Sequence, residues 1–201
     1  PAPPRPVAAP TAALGRRPAV GDLPLGALLP LGRAAGLLIC AAADGLVAVD
    51  PHEARVRVLF ERLAGGAVGV PVSPPATVEL SPDERDRFNA LEGALRQIGL
   101  AAAAFGGATW AIETCPPGAG GIDPAVLLRA LLRPESRDDA PTAELLALRC
   151  AEHITAAVPS SGDDAGLLAA LAATTRRPPG RRPYAFALTR DELHRRLQDD
   201  A

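Results

Sequence analysis

Residues 31–63 read LGRAAGLLICAAADGLVAVDPHEARVRVLFERL, and two different periodicities meet within them. Two apolar runs, Gly36–Cys40 and Leu46–Val49, flank the pair Asp44-Gly45. An Asp-Gly pair between apolar runs predicts a β-hairpin, because both residues tolerate the positive φ of a tight turn. From His52 the period changes. Val56, Leu59, Phe60 and Leu63 recur at helical spacing among charged residues, which predicts a helix with one apolar stripe. Gly65-Gly66 ends it.

Downstream, the prolines in residues 70–75 predict a loop, and Thr77–Leu80 a short strand. Ser81-Pro82-Asp83-Glu84 is a helix start: serine caps, proline fits the first turn, and Glu84 completes a capping box. Phe88, Leu91, Leu95 and Ile98 form the stripe of that helix, and Gly99 stops it. Strands near 100–105 and 108–113 flank Gly106-Gly107 as a second hairpin. Asp123-Pro124 opens a leucine-rich helix to about Leu132, and residues 134–141 are a polar loop. Thr142 starts a helix through about Val158, and Ser161 or Asp163 caps another over about 164–174. The proline-rich segment 176–183 excludes regular structure. Tyr184–Leu188 alternates like a strand, and Thr189 with Glu192 caps a last helix that turns Leu193 and Leu197 inward. Strands mix with helices without strict βαβ alternation, so the expected class is α+β.

Upstream, residues 1–22 read PAPPRPVAAPTAALGRRPAVGD, a proline- and alanine-rich linker that implies a further domain before it. The 201 residues are 48% apolar and 22% charged, a globular composition. The net charge of −2 gives no global attraction to nucleic acid, so any DNA contact is expected to be local, weak or indirect. All 21 basic residues are arginine. The three cysteines, Cys40, Cys115 and Cys150, are odd in number and widely spaced, which argues against a disulfide framework or a zinc knuckle. No apolar run reaches membrane-spanning length, and the expected setting is a reducing cytoplasm.

The stretch LGRAAGLLIC…DGLVAVDPHEARVRVLFERL resembles the opening of the MutL C-terminal domain, where a hairpin leads into V-D-Q-H-A-x-x-E-R and a helix. VELSPDERDRF, LRQIGLAAAAFGGATWAIETCPP and DPAVLLRALL are similar to the family's middle part, and TTRRPPGRRPYAFALTRDELHRRL to its C-P-H-G-R-P-T segment, strand and final helix. The resemblance runs over about 27–198. It implies two lobes: a dimerisation lobe of 27–75 with 142–201, and an inserted external or regulatory lobe of 76–135. It also implies a homodimer, joined through the first hairpin and the helices after Thr142. The implied partners are mismatch repair proteins such as a MutS-type protein, with no membrane among them, and the linker would lead to an ATPase domain.

Nuclease-competent members resemble one another in a divalent-metal site built from an Asp, a His and a Glu on the first helix with a Cys and a His of the C-P-H segment. Such a set holds an ion that activates water against a phosphodiester. Carried over, Asp50 and His52 match as metal ligands. Pro51 and Glu53 replace the usual glutamine and alanine, and Val56, which has no lone pair, replaces the glutamate. Arg177-Pro178-Pro179-Gly180 stands for Cys-Pro-His-Gly. In a third segment, A-C-H-x-A, Cys150 survives, while His153 lies two residues away, about 200° around a helix. The expectation is therefore a region with no cofactor and no nuclease activity; zinc or manganese would enter only through a working site, as in a nicking endonuclease with altered ligands. Each survivor also has an ordinary structural reading: Asp50 as helix cap, His52 on the surface, Cys150 in the core. The family's clamp-binding segment, Q-x-L-L-x-P, corresponds to residues 70–75, where only Val72 and Pro75 fit, so sliding-clamp binding is not expected. Arg176, Arg177, Arg181 and Arg182 are candidate phosphate contacts, with a solvated arginine loop as the alternative.

Overall fold

The computed structural model describes residues 28–134, 142–158 and 162–199. The 1–22 linker, nearly all of the 134–141 loop, Ser161 and the side chain of Leu197 fall outside the described residues. The chain runs β1 (Leu29–Ala34), β2 (Leu37–Ala42), β3 (Gly45–Val49), α1 (Pro51–Ala64), β4 (Val70–Glu79), α2 (Pro82–Gln97), β5 (Ala101–Gly106) and β6 (Thr109–Cys115). It continues with α3 (Pro124–Leu132), α4 (Ala143–Ala157), α5 (Asp164–Ala172), β7 (Ala185–Thr189) and α6 (Arg190–Asp199). Helices and antiparallel sheets mix as the α+β reading expects.

The predicted hairpin is β2–β3, at the centre of an antiparallel sheet ordered β1-β2-β3-β7. Its turn residues are Ala43 and Asp44, and Gly45 is the first residue of β3. Gly45 has φ +137°, and a Cβ there would collide with the carbonyl of Leu188 on β7, so glycine is required for the close strand approach. Period-two alternation then sorts the side chains. Leu38, Cys40, Val47, Val49, Ala185 and Ala187 face inward and are buried against Ala54 of α1 and Leu168 and Leu171 of α5. The strand β1 is an addition to the sequence reading. Most of it is exposed and it lacks alternation; backbone pairing to β2 makes it a strand.

A second core lies on the other side of α1. Val56, Phe60 and Leu63 pack there with Phe88, Leu91 and Leu95 of α2, Leu127, Leu128 and Leu131 of α3, and Leu146, Cys150 and Ile154 of α4. Each fully buried aliphatic or aromatic side chain contributes roughly 1.5–3 kcal/mol. The antiparallel sheet β4-β6-β5 closes this core. Residues 70–75, expected as a loop, belong to β4 instead. The prolines are accommodated because β4 is an edge strand and its ladder breaks between Pro71 and Ala76, where missing amides cost no pairing.

The helix starts follow the sequence. Ser81 and Glu84 make the reciprocal capping box (Ser81 N to Glu84 Oε2, 2.8 Å), as Thr189 and Glu192 do for α6 (3.0 Å). Asp123, Thr142 and Asp163 cap α3, α4 and α5. Leu193 is half-buried. Arginines finish chain ends elsewhere: Arg55 donates to the Val158 carbonyl, Arg87 to Leu132, Arg149 to Ala130 and Arg133, and Arg176 to Ala64. These guanidiniums satisfy carbonyls that helix ends leave without partners, which accounts for part of the arginine content in a chain with no net positive charge.

Candidate functional site: a guanidinium-lined cavity beside the first helix

The elements that the resemblance assigns to a metal site do come together. The first turns of α1, the 177–184 segment and the face of α4 that carries Glu152 meet beside a cavity of about 150 Å³. Glu53, Val56, Arg57, Arg177, Pro178, Arg181, Arg182, Pro183 and Tyr184 line it.

Asp50 is the N-cap of α1. Its Oδ1 accepts the amides of His52 (2.9 Å) and Glu53 (3.2 Å), and its own amide donates to the Tyr184 carbonyl (2.7 Å). His52 is exposed in the first turn. Neither residue lines the cavity. Val56, in the place of the glutamate, is 1% exposed and presents only methyl groups. Cys150 is wholly buried in the larger core, and burial, with Cys115 as a second cause, pushes its thiol up to about 12. Its side chain packs among the apolar residues of that core. His153 is half-buried on α4. Among the described residues no three His, Cys, Asp or Glu side chains converge on one point.

The cation beside this cavity belongs to the protein. The guanidinium of Arg181 lies between two carboxylates: Nε is 3.1 Å from Glu53 Oε2 on α1, and Nη1 is 3.0 Å from Glu152 Oε1 on α4. The Glu53 contact is ionic without hydrogen-bond alignment, since Nε, although buried, lacks hydrogen-bond geometry. A divalent ion does not fit these residues. Arg181 already bridges both carboxylates that would attract it, and with Arg57, Arg177 and Arg182 beside it four guanidiniums stand against those two carboxylates.

The candidate phosphate contacts thus divide. Arg176 is held on α1: its amide donates to Glu61 Oε2 (2.7 Å) and its Nη1 to the Ala64 carbonyl. Burial pushes the Glu61 carboxyl up, but the amide of Arg176 and the hydroxyl and amide of Thr175 together hold it below its ordinary value. Arg181 is internal to the ion-pair network. Arg177 and Arg182 are exposed on the rim. Arg57, which the sequence did not single out, donates through Nε to Thr174 (2.7 Å) and lies over the Tyr184 ring, 5.0 Å from its centroid. The Glu152–Arg181 and Glu61–Arg176 contacts join remote parts of the chain and leave no local sequence signal.

The clamp-segment residues lie elsewhere, in the unpaired part of β4. Val72 is half-buried against the larger core and Pro75 is exposed. A wider groove of about 810 Å³ between α2 and α3 has mixed charge, with Asp83, Glu84, Asp86 and Arg87 on the α2 side and Arg129 and Arg133 on the α3 side. None of the sequence candidates lines it.

The family model for the MutL C-terminal dimerisation domain matches residues 34–157, from the end of β1 to the end of α4. The chain belongs to that family. The DNA mismatch repair protein MutL of Anaeromyxobacter sp. (strain K) is 33% identical over 176 residues, covering 80% of this chain and 29% of that protein. The MutL of Syntrophobacter fumaroxidans is 33% identical over 127 residues, covering 60% and 19%, and that of Trichlorobacter lovleyi is 40% identical over 103 residues, covering 49% and 18%. The chain spans less than a third of each of these relatives. Among the described residues no helix is long and apolar enough to cross a membrane.

Proposed function

We propose that this region is the homodimerisation module of a DNA mismatch repair protein and that it does not cut DNA. The outer face of the four-stranded sheet carries the proposal. Cross-strand rows place Leu29, Ala41, Leu46 and Leu188 on it, with Ile39, Ala48 and Phe186 in the adjoining row. Leu29 is 63% exposed and Leu31 58%. Leu46 also lines an open cavity of about 450 Å³ with Leu193 of α6. A contiguous apolar face on a sheet otherwise packed on α1 and α5 is what a second copy would cover. An obligate interface of this kind buries more than about 2,000 Å² in total.

In this reading residues 27–75 with 142–201 form the dimerising part, which presents the four-stranded sheet, and residues 76–135 form an external regulatory part. Partners such as a MutS-type protein would be met by the assembled dimer. The altered cavity supports the absence of cutting: Val56, Arg177 and Pro179 stand where relatives have ligands, and Arg181 occupies the carboxylates.

Sedimentation equilibrium of the 201-residue chain at micromolar concentration tests the first part. The expected mass is that of two chains, falling to one in Leu46→Asp/Leu188→Asp; a wild-type monomer would refute dimerisation. Incubation with supercoiled DNA and manganese tests the second. The expected result is intact plasmid, and manganese-dependent nicking that co-purifies with the dimer would favour an altered-site endonuclease.

A further inference from the structure

The ion-pair network changes what the cavity beside α1 attracts. Four guanidiniums, those of Arg57, Arg177, Arg181 and Arg182, line it, against the carboxylates of Glu53 and of Glu152 behind Arg181. Both carboxylates contact Arg181, which leaves the outer part of the cavity to the other three arginines. Arg177 and Arg182 are exposed on its rim, and no carboxylate among the described residues pairs with them. The Nε of Arg57 is committed to Thr174, and the Tyr184 ring fixes its plane.

The segment that carries the rim arginines is pre-set. Pro178, Pro179 and Pro183 fix φ along it, and Gly180 takes φ +67°, where the chain turns Arg181 inward and leaves Arg177 and Arg182 outside. At one end the Thr175 hydroxyl and Arg176 amide bind Glu61; at the other the Tyr184 carbonyl accepts the Asp50 amide. Anchoring both ends lowers the ordering cost of binding. At about 150 Å³ the cavity is smaller than the several hundred Å³ usual for an organic ligand, and it has room for one tetrahedral oxyanion.

We propose that this cavity is a metal-free phosphate site that receives one backbone phosphate of duplex DNA. It rests on the family reading for the choice of DNA, and on the cavity for the chemistry. Arg181 engages Glu53 and Glu152, the other three guanidiniums leave the cavity net positive, and Arg177 and Arg182, with Arg57 behind them, donate to the phosphate oxygens. Contact to the backbone alone carries no sequence preference.

The test is fluorescence anisotropy of a labelled 30-base-pair duplex with the wild-type dimer in EDTA, over a range of salt. Binding should persist in EDTA and be indifferent to sequence. Arg177→Gln/Arg182→Gln should weaken it about tenfold and make the salt dependence shallower by about one unit for each phosphate no longer neutralised. Glu152→Gln, which removes a competing carboxylate, should strengthen it. Arg96→Gln, on α2 outside the cavity, should leave it unchanged. The proposal is overturned if the double variant binds like wild type, if EDTA abolishes binding, or if millimolar inorganic phosphate raises the melting temperature while the duplex is not bound. Unchanged mass in the double variant separates these outcomes from a failure to dimerise.

Discussion

The amide of His52 donates to Asp50 Oδ1 at 2.9 Å, so the carboxylate that the resemblance matches to a metal ligand is turned onto the start of its own helix. Removing an N-cap costs about 1 kcal/mol, and asparagine or serine caps nearly as well as aspartate. Asp50→Ala should therefore lower stability in urea by about that amount, and Asp50→Asn by much less. Neither change should depend on manganese. Equal losses in the two variants would mean that the charge, and not the cap, matters.

The three free cysteines offer a second check. Burial raises the thiol of Cys40, with Asp164 as a lesser cause; burial alone raises that of Cys115; and Cys150 reaches about 12. Only the thiolate reacts rapidly. At pH 8 an aromatic disulfide reagent should modify the native chain only as slowly as it opens, and all three thiols at once in denaturant. Prompt modification of Cys150 in the folded dimer would contradict its place between α4 and the larger core.

Local rules made much of this fold legible. Ser81 to Glu84, Thr189 to Glu192 and the stripe Val56–Phe60–Leu63 act within one or two helical turns, and the structure keeps each of them. What escaped was not local. The strand β1 exists only through its pairing with β2. Residues 70–75 read as a loop because prolines break regular structure on average, whereas an edge strand with a bulge has places for them. In the cavity, the changes at Val56 and Arg177 were visible in the sequence. The capture of Arg181 by Glu53 and Glu152 was not, because no spacing rule joins α1, α4 and the segment before β7.

Acid should loosen the chain by a defined route. Asp164 is held below its ordinary value chiefly by its hydrogen bond to Arg33, and Glu84 chiefly by the Ser81 amide. For Glu61, burial opposes the hydrogen bonds that lower it. A carboxyl with a depressed folded value contributes stability that is complete above its unfolded value, about 4, and is lost as pH falls through the lower folded value. The urea midpoint should hold from pH 7 to about 5 and fall below about 4. Asp164→Asn should start lower at pH 7 and fall less steeply; a midpoint that rises on acidification would reverse the sign.

Replacing Val56 with glutamate supplies the side-chain type that the resemblance implies for a working metal site and asks whether Arg181 excludes a metal. Val56 is 1% exposed, and a carboxylate buried there without a partner would cost several kcal/mol. The same cavity, however, holds Arg57 and Arg181, so the new charge has guanidiniums to answer it. Val56→Glu should then cost about 1–2 kcal/mol, with no rise in melting temperature on adding manganese. Combining it with Arg181→Ala should cost more than the sum of the two single changes, because the glutamate loses a counter-charge. If Val56→Glu alone were stabilised by manganese, Arg181 would have yielded its place to the ion, and the cavity would be a metal site lacking one ligand.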